Sequence, residues 1–371
     1  MKRVCHLSSV HPADDVRIFH KECITLACAG YEVSYVVPSA TGGVKHGVTI
    51  YPVPLPRWRR ERILRTALQV VRTALQIRAQ VYHFHDPELL PWAPLLRRPG
   101  AKVIYDAHED VGRQILAKDW IPSLLRRGVA WGSRTVEWIA TRRWVDAVIA
   151  ATPAIARNFP AFKTEVVQNF PLREELAPVS AQPYRERPPY IVYIGGVTVI
   201  RGAREMAKAM RCLPPHLDAR LVIAGSFDPP DLRVLYENCE RATLLGWLSR
   251  GQLATLLGQA RVGLVLLHPV PNHVEAQPNK LFEYMSAGIP VIASDFPLWR
   301  EIVGTTRCGL LVNPLDPEAI ASAIEWLLTH PDEAEAMGKR GREAVQDRYN
   351  WEGESQKLLA LYTRLIGAPE R

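Results

Sequence analysis

Short runs of β-branched and aromatic residues alternate with apolar positions at helical spacing from the first residues onward. KRVCHLSS, EVSYVVPS, VYHFHD, KVIYDAHE and DAVIAAT read as strands, with a helical pattern over 17 to 28 between the first two. Strands separated by helices predict a mostly parallel sheet. Residues 171 to 190, PLREELAPVSAQPYRERPPY, hold five prolines and no periodic apolar face, the composition of a linker between two cores. The alternation then restarts with PYIVYIGG, ARLVIAGS, ATLLGWL, VGLVLLHP, PVIAS and GLLVNP. Helical patterns follow at 316 to 328 and 331 to 346, and then a last helix whose Leu358, Leu361, Tyr362 and Leu365 share one face.

The pattern therefore predicts an α/β protein of two doubly wound, Rossmann-like domains. Residues 1–175 form the first and 176–347 the second, with 348–371 as a helix packing back on the first domain. A length of 371 residues agrees with two cores. Composition adds the class: 47% hydrophobic and 23% charged residues fit a soluble globular protein. No apolar run reaches the roughly 18 residues needed to span a bilayer, and MKRVCHLSSVHPADD has no signal-peptide core, so the expected location is the cytoplasm.

Charge changes the picture in one half only. Residues 1 to 180 carry 25 Lys+Arg against 16 Asp+Glu, so the net charge of +8 belongs to the first domain. Two arginine-rich helical stretches, 57 to 78 and 124 to 144, supply most of it. They read either as ordinary helices with solvated arginines or as a pair that meets the inner face of an anionic membrane. The six cysteines are scattered without metal-ligand spacing, and no D-x-D motif is present, so no metal and no cofactor is expected. Nothing points to nucleic acid as a partner. The dinucleotide fingerprint G-x-G-x-x-G is missing after the first strand, which disfavours an oxidoreductase.

Candidate chemistry centres on EAQPNKLFE, residues 275 to 283. A helix starts near Asn279 and is closed by Gly288 and Pro290. Its first amides and its dipole favour an anion such as a phosphate near Asn279, Lys280 and Leu281. Glu283, in the first turns, can accept two hydrogen bonds from a vicinal diol such as a ribose. A second carboxylate, Glu275, beside a phosphate is tolerated where it meets sugar hydroxyls, so the pair points to a nucleotide sugar.

EAQPNKLFEYMSAGIPVIASDFPLWREIV resembles the E-x7-E region of glycosyltransferase family 4, retaining enzymes of the GT-B fold. HPADDVRIFHKECITLACAGYEV, HFHDPELL, YDAHED, YIGGVTVIRG and RYNWEGESQKLLALY extend the resemblance, in the family's order, over most of the chain. The resemblance implies two domains facing a central cleft, with the donor, a UDP- or GDP-sugar, in the second and a glycan or lipid-linked hydroxyl acceptor in the first. It places Glu275 on the transferred sugar and Glu283 on the ribose. Gly195, Gly196, Arg201, Pro278, Asn279, Lys280 and Leu281 fall on the diphosphate. Gly196 stands where the family usually has an arginine, which leaves Arg201 and Lys280 as the cations. His108 matches the family's active-site histidine, with Glu109 and Asp110 as groups that could orient it, and His11, Asp14, Asp15, Arg17 and Glu109 fall on the acceptor side. Transfer in polysaccharide or glycoconjugate biosynthesis is the activity implied. The rival readings are a nucleotide-sugar epimerase of the same fold and a non-catalytic partner subunit that binds sugar nucleotides.

Overall fold

A computed structural model describes residues 1–116, 121–176, 182–237 and 239–369 of the chain. Two compact units result: Met1–Asn169 together with Gly353–Arg371, and Phe170–Glu352. Of the proline-rich stretch expected as a linker, residues 177–181 lie outside the described residues. Phe170 and Leu176, at its near end, are buried in the core of the second unit.

The first unit is built on an eight-stranded sheet. Its strands are β1 (Arg3–Leu7), β2 (Glu32–Pro38), β3 (Gly43–Lys45), β4 (Val48–Val53), β5 (Val81–Phe84), β6 (Lys102–Ala107), β7 (Ala147–Ala150) and β8 (Thr164–Val166). Their order is β3-β4-β2-β1-β5-β6-β7-β8, parallel except for the β3–β4 pair. Each apolar run anticipated from the pattern is a strand, and the short β3, β4 and β8 were not anticipated. Along β1, β5 and β6 successive side chains alternate between faces. Cys5, Leu7, Tyr82, Phe84, Val103 and Tyr105 point to one face and join an apolar core with the helix Ala67–Ile77. His6, His83 and Asp106 point to the other.

The second unit holds a six-stranded, wholly parallel sheet of order β11-β10-β9-β12-β13-β14. The strands are β9 (Tyr190–Ile194), β10 (Arg220–Ala224), β11 (Ala242–Leu244), β12 (Ala260–Val265), β13 (Val291–Ser294) and β14 (Gly309–Val312). Helices cover both faces over two apolar cores, so the interior strands are apolar on both sides. In each sheet the order reverses beside a central strand, between β1 and β5 and between β9 and β12. Open α/β sheets bind ligands at the carboxyl ends of strands at such a point.

The last helix, Trp351–Ile366, returns the chain to the first unit. Leu358, Leu361 and Tyr362 are fully buried there, as the shared apolar face requires, and Leu365 is half-buried. Among the described residues no helix is long and apolar enough to cross a membrane.

Candidate active site residues in the two units

In the second unit the helix Asn279–Ser286 begins at Pro278, with no side chain capping its start. Leu281, Phe282, Tyr284 and Met285 bury its inner face, which turns Lys280 and Glu283 toward the carboxyl ends of the strands. The Lys280 ammonium lies 3.6 Å from the centre of the Tyr193 ring and has no hydrogen-bond partner, although its Nζ is shielded from solvent. Burial holds this amine well below the usual lysine range, nearby Arg201 pushes the same way, and Glu283 opposes. An unpaired buried cation is costly unless an anion completes it. Gly195 follows β9 with φ +93°, a conformation that favours glycine. A side-chain carbon at that position would stand 3.8 Å from Lys280 Nζ.

The missing arginine at Gly196 has a physical counterpart. Arg201 Nη1 donates to the Gly196 carbonyl at 3.3 Å and would lie 3.0 Å from a Cβ at that position. Arg201 thus takes the space a side chain at 196 would need.

Glu283 Oε1 accepts from Arg250 Nη1 at 2.7 Å, while Arg250 Nε donates to Glu175 Oε1 at 2.7 Å. Neither Arg250 nor Glu175 was anticipated. Ser249 and Gln252 form a capping box at the start of the helix that carries Arg250, but nothing local pairs Arg250 with a residue 33 positions on. Glu275 ends the short helix Pro271–Val274, half-buried, in a segment tied down on both sides. Trp299 Nε1 donates to the Ala276 carbonyl at 2.8 Å, and His273 Nδ1 donates to the His268 carbonyl at 3.2 Å. His268 in turn hydrogen-bonds through its amide to the Ile200 carbonyl at 2.8 Å, which joins the Glu275 segment to the turn that carries Arg201. A cavity of about 440 Å³ at the ends of β10 and β11 is lined by Gly225, Phe227, Arg233, Leu245 and Trp247.

His273 carries a pH prediction. Burial lowers its imidazole to about 4, the bond to the His268 carbonyl opposes, and Arg201 adds to the lowering. In the unfolded chain it titrates near 6.5, so between pH 6.5 and 4 the unfolded state binds more protons and stability falls as pH falls. The second unit is expected to lose about 3 kcal/mol over this window through His273. Urea midpoints at pH 7 and 4.5 check it, with a smaller drop in His273→Gln than in the wild type.

In the first unit the strand ends carry a dense polar cluster. Asp106, fully buried on β6, accepts from Arg17 Nε at 3.0 Å and Nη2 at 2.9 Å, and from His108 Nε2 at 2.9 Å. It also shares a hydrogen bond of 3.2 Å with His85 Nδ1. Burial alone would raise this carboxyl; Arg17 first, then His108 and His85, overcome it and hold Asp106 well below the carboxylate range. Asp86 accepts from Ser8 Oγ at 2.8 Å and the Ser9 amide at 2.6 Å, and pairs with His11 Nδ1 at 3.0 Å.

Two expectations for this unit are corrected, those for Arg17 and for the groups that orient His108, and Asp15 has a local structural role. Arg17, anticipated at the acceptor, is only 4% exposed, and its guanidinium is committed to Asp106, Glu22 and the Val167 carbonyl. Asp15 caps its own helix by accepting from the amides of Arg17 and Ile18 at 2.9 Å. Asp106, not Glu109 or Asp110, orients His108: Glu109 is exposed and accepts from Gln114, and Asp110 accepts from the Arg113 amide. Asp14 is exposed, while His11 and His108 are part-exposed with rings 5.2 Å apart. The H-x-H of VYHFHD and the D-x-H of YDAHED were the available signal, because period-two spacing sets each pair on one face of its strand.

Residues 188–330 match the family model described as glycosyl transferases group 1, and residues 22–169 match that of the glycosyl transferase 4-like domain. The chain belongs to the glycosyltransferases. The GDP-mannose-dependent alpha-(1-6)-phosphatidylinositol monomannoside mannosyltransferase of Mycobacterium tuberculosis is 27% identical to this glycosyltransferase over 280 residues, 72% of this chain and 71% of that one. Sucrose-phosphate synthase from Thermosynechococcus elongatus superposes with a TM-score of 0.79 at 22% identity, over 99% of this chain and 100% of that one. Anabaena HepE in complex with UDP-glucose superposes with a TM-score of 0.74 at 13% identity, over 98% and 100%. These likenesses identify the α/β fold of the glycosyltransferase as GT-B. The chain spans about half the length of the first curated relatives it matches, between 44% and 48% of each.

Proposed function

We propose that this glycosyltransferase is a retaining enzyme that moves a sugar from a UDP- or GDP-linked donor to a hydroxyl acceptor in polysaccharide or glycoconjugate assembly. The observation that carries the reading is Lys280, whose shielded Nζ has no hydrogen-bond partner, at the start of an uncapped helix. A diphosphate is the anion that meets Lys280, Arg201 and helix amides together, and these neutralise it without a metal ion. Glu283 accepts the ribose hydroxyls beside Arg250, the cavity near Trp247 seats the base, and Glu275 meets the transferred sugar. As the glycosidic bond breaks, negative charge grows on the leaving phosphate, where the cations and amides stabilise it. Without an enzyme nucleophile, retention follows from attack on the leaving-group face. His108, held by Asp106, and His11, held by Asp86, serve the acceptor. The names of the relatives support a nucleotide-linked donor, since one is GDP-mannose-dependent and another was captured with UDP-glucose.

The test is a panel of sugar nucleotides read by thermal shift. A donor at 100 times its dissociation constant adds about 2.7 kcal/mol of stability. Lys280→Met is expected to weaken nucleoside diphosphate binding about 10- to 100-fold, the loss of a charge-assisted bond. The same change leaves the ligand-free protein as stable or more so, because a desolvated charge is removed. Unaltered diphosphate affinity in this variant rejects the assignment.

The basic face of the first unit supports a membrane as the acceptor's location. The helix Ser123–Arg143 buries Ala130, Glu137, Ala140 and Thr141. Its opposite side shows solvent Leu124 (94% exposed), Trp131 (73%) and Trp138 (56%), spaced two turns apart and flanked by exposed Arg127, Arg142 and Arg143. Arg126 instead donates to the Ile121 carbonyl at 2.7 Å. Binding to vesicles is expected to rise with anionic lipid and fall with salt, at about 1 kcal/mol per well-placed arginine. Sedimentation of wild type against a variant with Arg127, Arg142 and Arg143 replaced by Gln checks this. Equal pelleting of the two removes the membrane from the proposal.

A further inference from the structure

The polar face of the first sheet contains a second constellation that sugar transfer does not use. His6 on β1 and His83 on β5 are register partners on adjacent strands, and His85 lies two residues along the same strand line. Their side chains therefore share one face. Glu22 reaches that face from the helical segment Val16–Cys23. His6, Glu22 and His83 are fully buried and His85 is 2% exposed.

We propose that His6, Glu22, His83 and His85 bind one divalent transition-metal ion of the zinc class as a structural centre of this unit. One potential ligand atom from each lies within 4.8 Å of all the others. His6 Nδ1 is 3.0 Å from His85 Nε2, a hydrogen bond the ion would replace, and 4.0 Å from Glu22 Oε2, and His83 Nδ1, which also meets the Tyr362 hydroxyl at 3.0 Å, is 3.8 Å from the same oxygen. Four ligands on tetrahedral bonds of about 2.0 to 2.1 Å stand roughly 3.3 to 3.5 Å apart, so these separations close on an ion with small side-chain shifts. Three imidazoles and one carboxylate suit zinc, whereas calcium and magnesium take oxygen.

The atoms on the far side of three ligands are held as metal ligands usually are. His85 Nδ1 meets Asp106 at 3.2 Å, His6 Nε2 meets the Tyr362 hydroxyl at 3.3 Å, and Glu22 Oε1 lies 3.1 Å from Arg17 Nε. The rival is a hydrogen-bonded network alone, and it leaves a defect. Glu22 Oε2, unlike the Oε1 that faces Arg17, is buried without a hydrogen-bond partner. A buried carboxylate oxygen without a partner is costly, and a cation on Oε2 removes that cost. Along the chain only the H-x-H of VYHFHD hints at this centre, because its other ligands come from two further elements.

With all four ligands buried, the ion is taken up as the unit folds and brief chelation leaves it in place. The test uses the full chain without a histidine tag, produced in zinc-supplemented and, separately, cobalt-supplemented medium, then desalted. Elemental analysis is expected to find about one metal ion per chain, and the cobalt form to show the visible bands of a tetrahedral nitrogen-oxygen site. His83→Gln and Glu22→Gln are expected to lower the content about tenfold or more, while His216→Gln, in the second unit, leaves it unchanged. Folded wild-type protein with less than about a tenth of an ion per chain from both media overturns the proposal. So does an ion retained in His83→Gln without a tetrahedral spectrum. The wild-type measurement decides the matter even where a variant does not fold, and donor binding at Lys280 is independent of either outcome.

Discussion

Replacing Asp106 with asparagine is expected to destabilise the first unit by about 3 to 5 kcal/mol, the cost of leaving a buried charge without its partner. The carboxylate receives Arg17 Nε and Nη2 as well as His108 Nε2. An amide keeps the shape and one acceptor, but its NH2 would face a guanidinium. Arg17 is 4% exposed and has no route to solvent for its charge. Chemical denaturation of wild type, Asp106→Asn and the double variant Arg17→Met with Asp106→Leu completes the measurement. The double change should recover part of the loss, since two apolar groups remove the charge as well as its partner. A loss below about 1 kcal/mol in Asp106→Asn would mean that Glu22, already 3.1 Å from Arg17 Nε, suffices as its anion. In the folded fraction His108 should also lose its fixed orientation.

Glu275→Gln is expected to cut transfer about 100- to 1,000-fold, the range seen when one preorganised group is lost from a charge-stabilising site, while nucleotide affinity stays within about twofold. The residue sits in a segment that the structure holds firmly, between the Trp299 bond to the Ala276 carbonyl and the His273 bond to the His268 carbonyl. Glutamine keeps the volume, so those anchors remain and the change reads out charge. Initial rates with the donor identified by thermal shift, set beside calorimetry with the free nucleoside diphosphate, separate the two quantities. Equal losses in both would move Glu275 from the sugar to the nucleotide.

Much of the architecture was legible because interior strands of parallel sheets are continuous apolar runs, as in YIVYI and LVIA, and their spacing alone sets the alternation. The edge of the first sheet was not. GVKHGVTIYPV drew no strand expectation, because an edge hairpin leaves Val44 74% exposed and shows no buried alternation. The candidate site divides the same way. Lys280, Glu283 and Glu275 lie within nine residues, so local spacing placed them together. Arg250, Glu175 and Asp106 meet their partners from other elements and had no local signature. Arg17 misled for the same reason: a charge beside a loop looks exposed until a distant aspartate is brought under it.

The return of the chain to its first unit also orders events in time. Tyr362, from the last helix, hydrogen-bonds His83 at 3.0 Å and His6 at 3.3 Å, so the polar face of the first sheet is completed by residues made after the whole of Phe170–Glu352. At roughly 5 to 20 residues per second the ribosome exposes that face for about 10 to 40 seconds before its cover is made. The N-terminal half thus emerges first and finishes last, and a nascent chain stalled near residue 350 should bind chaperones through the strip that Leu358, Leu361 and Tyr362 later close.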